Sequence, residues 1–384
     1  MTANTKKLTF VEEKQGTNII YGFGILKILI HLFTLEGYGL HADELYYIEL
    51  GQHFRWGFLD ISPFVTWIAG ISEYLFGNST TSFRILPCLF SAATVILTGH
   101  ITQLFGGKKL AIVIACSAII CSPAFLATSY LLQPAVFDQF FWALIGFSII
   151  AYGKNQKLIY LYLCAFAFGF GMLNKFSILL FVGSAGCAWI FIQAKSFRLL
   201  KIKELTGPVV LFLLIILPNF LWQFSHDFPV FNYTLKVGVG AFHIEIWDYL
   251  FQLLLFHGAS LAVWSAGFLY LLLDQNDQKP RKIWAVSFIM IILFLALLKG
   301  KLYYGLGAFP ILFAAGGLCW SLMLEKIANM SKILFISSIY LFALLSFPIV
   351  VPLFSLNLCR KYIKEMVKLT GFSRPLRYED GTTG

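Results

Sequence analysis

The sequence predicts an all-α polytopic membrane protein, and three observations lead there. Of its 384 residues, 59% are hydrophobic and only 12% charged, with a mean hydropathy of +0.78; a soluble domain carries about a quarter charged residues. Apolar windows of about 20 residues, the length that crosses a bilayer, recur along the whole chain. Basic residues collect in alternate loops between those windows, the pattern of cytoplasmic loops in multi-pass proteins.

Residues 1–17 are polar and precede a long apolar stretch with no small-residue cleavage site, so they read as a cytoplasmic segment before an uncleaved anchor. Spans are expected at 18–36, 82–104, 109–127, 134–152, 156–173, 175–193, 205–224, 247–273, 282–299, 303–324 and 331–352, a bundle of about eleven. Lys108 and Lys109, Lys154 and Lys157, Lys195 to Lys203, Lys279 to Lys282, and Lys326 and Lys332 mark one set of loops. The opposite loops hold little beyond Arg55, Lys175, Lys236 and Lys301. That asymmetry orients the chain with its N-terminus inside and its C-terminus outside, in a plasma (inner) membrane. Residues 18–352 then form the membrane domain, with long outer loops at 37–81 and 225–246, and 353–384 form a short basic outer tail.

One broad class drops out. The formal charge of +10 is spread over inter-span loops and the tail, so no nucleic-acid partner is expected. The seven cysteines include no CxxC pair, and all but Cys359 lie in apolar stretches, where cysteine packs as a small hydrophobe.

The first outer loop has helical apolar spacing over 43–56 and again over 63–76, both too polar to span and suited to the membrane interface. The predicted orientation puts Asp43, Glu44, Asp60, Glu73, Asp138, Lys175, His226, His243, Glu245 and Lys301 on or near the outer side. Acidic side chains at a membrane edge are costly and point to function. Carboxylates beside lysines and tyrosines suit a reaction in which a hydroxyl loses its proton to a base and a phosphate leaves toward fixed cations and hydroxyl donors. Each residue also has a plainer reading. Asp43 and Glu44 fit a helix N-terminus, Asp138 a structural carboxylate, and Lys175 and Lys301 snorkelling side chains.

His41-Ala-Asp-Glu-Leu-Tyr-Tyr47, Trp56-Gly57, Asp60-Ile-Ser-Pro63 and Arg84-Ile-Leu-Pro87 come first in a series of motifs. Phe137-Asp138-Gln-Phe-Phe-Trp142, Asn174-Lys175-Phe176, Gly300-Lys301-Leu-Tyr303-Tyr304, and Phe309-Pro310 with Ala314-Ala-Gly316 follow in order. This ordered set, over roughly residues 36–320, resembles the family 39-like membrane glycosyltransferases of the GT-C class. Their relatives include protein O-mannosyltransferases and the enzymes that add aminoarabinose or galacturonic acid to lipid A.

The resemblance implies a GT-C helix bundle with interfacial helices in its first outer loop. It also implies inverting transfer of a sugar from a polyprenyl-phosphate donor to a lipid, glycan or protein acceptor. Asp43 would be the general base, Glu44 its neighbour holding acceptor or tuning the base, and Asp138 a second acidic position. Lys301, Tyr303 and Tyr304 would grip the donor phosphate, with Lys175 and Arg84 assisting and Tyr46 and Tyr47 lining the substrate site. Some relatives hold a divalent ion, for which Glu73 and His243 would be the ligands. Relatives usually continue into a soluble outer domain; the short basic tail at 353–384 is expected to reflect either the lack of that domain or a truncated product.

His31 and His100, inside spans, are expected to be buried and hydrogen-bonded. The alternative function is a secondary transporter or flippase, which usually shows internal repeats and interrupted helices near mid-membrane; the sequence has no internal repeat.

Overall fold

An apolar segment in lipid must satisfy its backbone groups internally, so it coils into a helix. The computed structural model describes residues 3–193, 202–238, 246–273 and 279–370, with no strand among them. The helices are α1 (Ala3–Leu32), α2 (Ala42–Gly51), α3 (Phe64–Phe76), α4 (Thr80–Leu104), α5 (Lys109–Cys121), α6 (Pro123–Thr128), α7 (Pro134–Asn155), α8 (Leu158–Asn174) and α9 (Ile178–Gln193). Then come α10 (Ile202–Ser225), α11 (Pro229–Tyr233), α12 (Ile246–Leu255), α13 (Leu261–Leu273), α14 (Lys279–Leu297), α15 (Phe309–Leu324), α16 (Asn329–Val350) and α17 (Leu356–Thr370).

Five stretches among the described residues are long and apolar enough to cross a membrane: α4, α7, α10, the segment Leu302–Leu324, and α16. They divide by environment. α7 and Leu302–Leu324 are largely enclosed, whereas α10 and α16 turn most of their surface outward, through side chains such as Leu214, Phe220, Leu334 and Leu344. α15 lies at the centre against α4, α5 and α13. Its Gly316 and Gly317 explain the small-residue motif Ala314-Ala-Gly316. A side chain at Gly316 would run into the Val263 carbonyl of α13, and one at Gly317 into the Ala111 carbonyl of α5. Close backbone approach of this kind holds helices together where lipid offers no hydrophobic driving force.

Several boundaries differ from expectation. The span predicted at 109–127 is broken between α5 and α6, because Pro123 holds Ser122 extended (φ −69°, ψ 121°). The span predicted at 247–273 is also two pieces, bent by 99° between Leu255 and Gly258. The two breaks stitch each other. Ala124 N–H donates to the Phe256 carbonyl at 3.1 Å, and the Ser122 hydroxyl meets His257 Nδ1 at 2.8 Å. The expected span at 303–324 begins with a 3₁₀ turn, Leu302–Ala308. Lys175 lies outside both α8 and α9 instead of opening a span.

Both helices expected in the first outer loop are present. The first ends at Gly51, short of Trp56, where it crosses α3; a side chain at Gly51 would come within 2.8 Å of Ala69 Cβ and of the Thr66 carbonyl. Beyond α3's N-terminal side, the loop is pinned to α10. Asn219 donates to the Trp56 carbonyl at 2.6 Å, and Trp67 donates to the Arg55 carbonyl at 2.8 Å.

His100 is hydrogen-bonded as expected, its Nδ1 3.1 Å from Gln103 Oε1. His31 is not. Both of its ring nitrogens, and the Lys27 ammonium one turn earlier, are buried without a hydrogen-bond partner. His31 instead stacks on Tyr130, with ring centroids 6.2 Å apart.

Candidate active site

The turn after α1 determines where the acidic pair goes. Tyr38 and Gly39 take left-handed backbone angles (φ 62° and 70°), and the carbonyls around them converge on one side chain, Arg84 of α4. Arg84 donates Nη1 to Leu35 O at 2.7 Å and Gly37 O at 3.3 Å. Nη2 reaches Gly39 O at 2.6 Å and Glu44 Oε2 at 2.7 Å, and Nε reaches Glu44 Oε1 at 2.9 Å. All five guanidinium donors are therefore engaged.

Glu44 is equally saturated. Its Oε1 also accepts from Leu132 N at 3.0 Å, and its Oε2 from His41 N at 2.8 Å. The latter bond closes a capping box at the start of α2. In this structure Arg84 thus has no donor left for a phosphate and Glu44 no oxygen left for an acceptor, because both are spent on the loop.

Asp43, next to Glu44, points the other way. It lies in the first turn of α2 with its side chain 62% exposed, 3.8 Å from His41 Nδ1, and the helix N-terminus favours its negative charge. One turn on, Tyr46 donates to Asp60 at 2.7 Å. Burial, with Asp43, Asp60 and Tyr304 nearby, pushes the Tyr47 phenol well above its ordinary range. Asp60, part of the Asp60-Ile-Ser-Pro63 motif, thus joins a group that the sequence had not assigned it to.

The second cluster is built on the α8–α9 hinge. Asn174 donates to the Pro134 carbonyl at 2.9 Å, tying that hinge to the start of α7, where Asp138 is buried. Asp138 accepts from Trp142 Nε1 at 3.0 Å and from Ser177 Oγ at 2.7 Å. The Lys175 ammonium sits over the Tyr304 ring, 3.5 Å from its centroid, and 5.1 Å from that of Tyr303. Burial lowers the Lys175 pKa to about 8, with Asp138 opposing the shift and Lys301 adding to it. Lys301 caps the 3₁₀ turn that presents both tyrosines.

Contact joins Lys175 to Tyr303 and Tyr304 and Asp138 to Ser177 of the same hinge; Asp43 and Tyr47 on α2, and Lys301 ahead of the two tyrosines, come close enough for their charges to be felt. Of the predicted metal pair, Glu73 accepts from Asn78 Nδ2 at 3.4 Å and His243 lies outside the described residues; among those described, no three His, Cys, Asp or Glu side chains gather as a metal set.

Residues 60–222 match the family described as dolichyl-phosphate-mannose-protein mannosyltransferase. That stretch includes Arg84, Asp138 and Lys175 but neither Asp43 nor Lys301. Comparison with curated protein sequences gave no match. Among solved structures, the chain is similar to ArnT from Cupriavidus metallidurans in the apo state, with TM-score 0.65 and 15% identity over 83% of this chain and 62% of that one. It is also similar to the same protein bound to undecaprenyl phosphate, with TM-score 0.66 and 15% identity over 87% of this chain and 64% of that one. The chain thus spans a little under two thirds of the length of these structures. The match over residues 60–222 and the architecture shared with ArnT are what this chain has in common with these proteins.

Proposed function

We propose that this protein is a glycosyltransferase that moves a sugar from a polyprenyl-phosphate carrier to a hydroxyl acceptor on a lipid, glycan or protein at the extracytoplasmic face. The observation that carries this reading is the Lys175 ammonium held against Tyr303 and Tyr304. It is a half-buried cation held against two phenol rings, which fits an anionic phosphate. Undecaprenyl phosphate, bound in the similar ArnT structure, favours a polyprenyl phosphate as carrier.

In the proposed step the acceptor oxygen attacks the anomeric carbon from the face opposite the phosphate. The new C–O bond forms as the bond from that carbon to the phosphate oxygen breaks, so configuration inverts. The acceptor proton passes to the Asp43 carboxylate, whose exposure leaves it open to an incoming hydroxyl. The electron pair leaves with the phosphate, where Lys175, Lys301, Tyr303 and Tyr304 stabilise it. Asp138 keeps Lys175 charged and in place; Glu44 and Arg84 position Asp43 by holding the turn that precedes it.

The transporter alternative draws on the two interrupted helices. They count little toward it, because the Phe256 carbonyl at one break accepts from Ala124 N–H at the other, and the Ser122 hydroxyl and His257 ring bond across the same junction.

The test is reconstitution of the purified protein with a polyprenyl-phosphate sugar and candidate acceptors, following release of polyprenyl phosphate. The expected result is acceptor-dependent release that Asp43→Asn abolishes. Uptake of a solute into vesicles without any release would overturn the proposal.

A further inference from the structure

Among the described helices α17 is the most strongly two-sided, and nothing in the proposed transfer step uses it. At 3.6 residues per turn, Arg360, Lys361, Lys364 and Lys368 share one arc of about 100°, and all four are exposed. The helix's one acid, Glu365, pairs with Lys368 at 2.7 Å, so the helix carries three positive charges in excess.

The apolar arc is only partly covered by protein. Cys359 is buried with its thiol 3.4 Å from the Pro348 carbonyl of α16, and Tyr362 donates to the Leu345 carbonyl at 2.7 Å. Leu358 and Leu369, on the same arc, stand 48% and 81% exposed. A helix docked along one edge, with bare leucines beside it and cations opposite, fits the boundary between acyl chains and headgroups.

Its face of the membrane follows from its neighbours. Pro352, just before α17, packs against Gly37, where a side chain would collide with it. α17 therefore lies on the same side as the turn that leads to Asp43.

We infer that α17 is an interfacial helix that binds anionic phospholipid headgroups through Arg360, Lys361 and Lys364 while Leu358 and Leu369 enter the acyl region. A juxtamembrane cluster of like charge opposite an apolar arc is complementary to a negatively charged lipid surface. This inference does not depend on the chain being a transferase.

The test uses the full chain in nanodiscs of phosphatidylcholine alone or mixed with phosphatidylglycerol, and reads hydrogen exchange over residues 356–370. Phosphatidylglycerol should slow exchange there, and high salt should reverse the effect. The R360Q/K361Q/K364Q variant, altered only at exposed positions, should lose it. Retention of phosphatidylglycerol by native mass spectrometry should weaken roughly fivefold for each cation removed. Equal exchange in the two lipid mixtures, or an unchanged phosphatidylglycerol effect in the triple variant, would overturn the inference. With L358S/L369S, exchange should rise in both mixtures; no change would show that the leucines do not enter the bilayer and would likewise overturn it.

Discussion

Arg84 and Glu44, 40 residues apart in sequence, meet as a buried two-pronged ion pair at 2.9 and 2.7 Å. The acid most conspicuous in the sequence beside Asp43 is thereby removed from chemistry and put to holding the first loop. A buried pair of this kind is costly to break on one side only, since the charge left behind has no partner.

Glu44→Gln or Arg84→Met alone should therefore destabilise the protein by about 3–5 kcal/mol. The double variant E44M/R84M should recover part of that loss, because it leaves no orphaned charge. Thermal unfolding in detergent measures both. A single variant as stable as the parent would show that the pair does not hold the loop.

Asp43→Asn should behave oppositely. Its side chain is 62% exposed, so unfolding temperature should stay the same, while transfer should drop by about 10²–10⁴-fold, the usual share of a general base. Donor binding, measured separately, should be unaffected. Substantial turnover in D43N would exclude Asp43 as the base.

Lys175 predicts a pH dependence. Its pKa is lowered to about 8, chiefly by burial, so the cation is present below that pH and is lost as pH rises through it. Affinity for a polyprenyl-phosphate donor should accordingly fall above about pH 8, and Lys175→Arg should push the fall to higher pH, because arginine stays charged. The stability sign is the reverse. Between about 8 and the ordinary lysine value of 10.5, the unfolded chain binds the extra proton, so this group's contribution to stability rises with pH. Donor affinity that is flat across pH 7–9 would rule out Lys175 as the phosphate cation.

Lys27 is 1% exposed and its ammonium has no hydrogen-bond partner. Lys27→Met keeps the length of the side chain and removes the buried polar head, so it should stabilise the protein by roughly 1–3 kcal/mol. A lower unfolding temperature for K27M would mean that the cation is held by interactions beyond these contacts.

Much of the scaffold was readable from local pattern. Thr80–Leu104 and Asn329–Val350 announce themselves through sustained apolar content. α2 begins where His41 and Glu44, three residues apart, spell out a reciprocal cap. The break at Ser122–Pro123 has its signal in the proline, which disfavours the helical conformation in the residue before it. The bend near Gly258 had a weaker one in the glycine itself.

The site was legible as a set of residue types and not as an arrangement. Asp138, Lys175 and Tyr304 stood in the sequence as outward-facing polar residues, and so did Arg84 and Glu44. Nothing local told the first group, which gathers around Lys175, from the second, which closes on itself. Asp60 was placed on the outer side, but its bond to Tyr46 depends on how the loop returns over α2.

The amino-acid order alone determined that this chain is a helical membrane protein, because hydropathy and capping act over a few residues and need no distant partner. Which carboxylate stays open, and which is silenced by an arginine, was decided only in three dimensions. That outcome depends on what each oxygen meets across 40 residues or more of intervening chain, and hydrogen-bond saturation is a property of neighbours, not of sequence position.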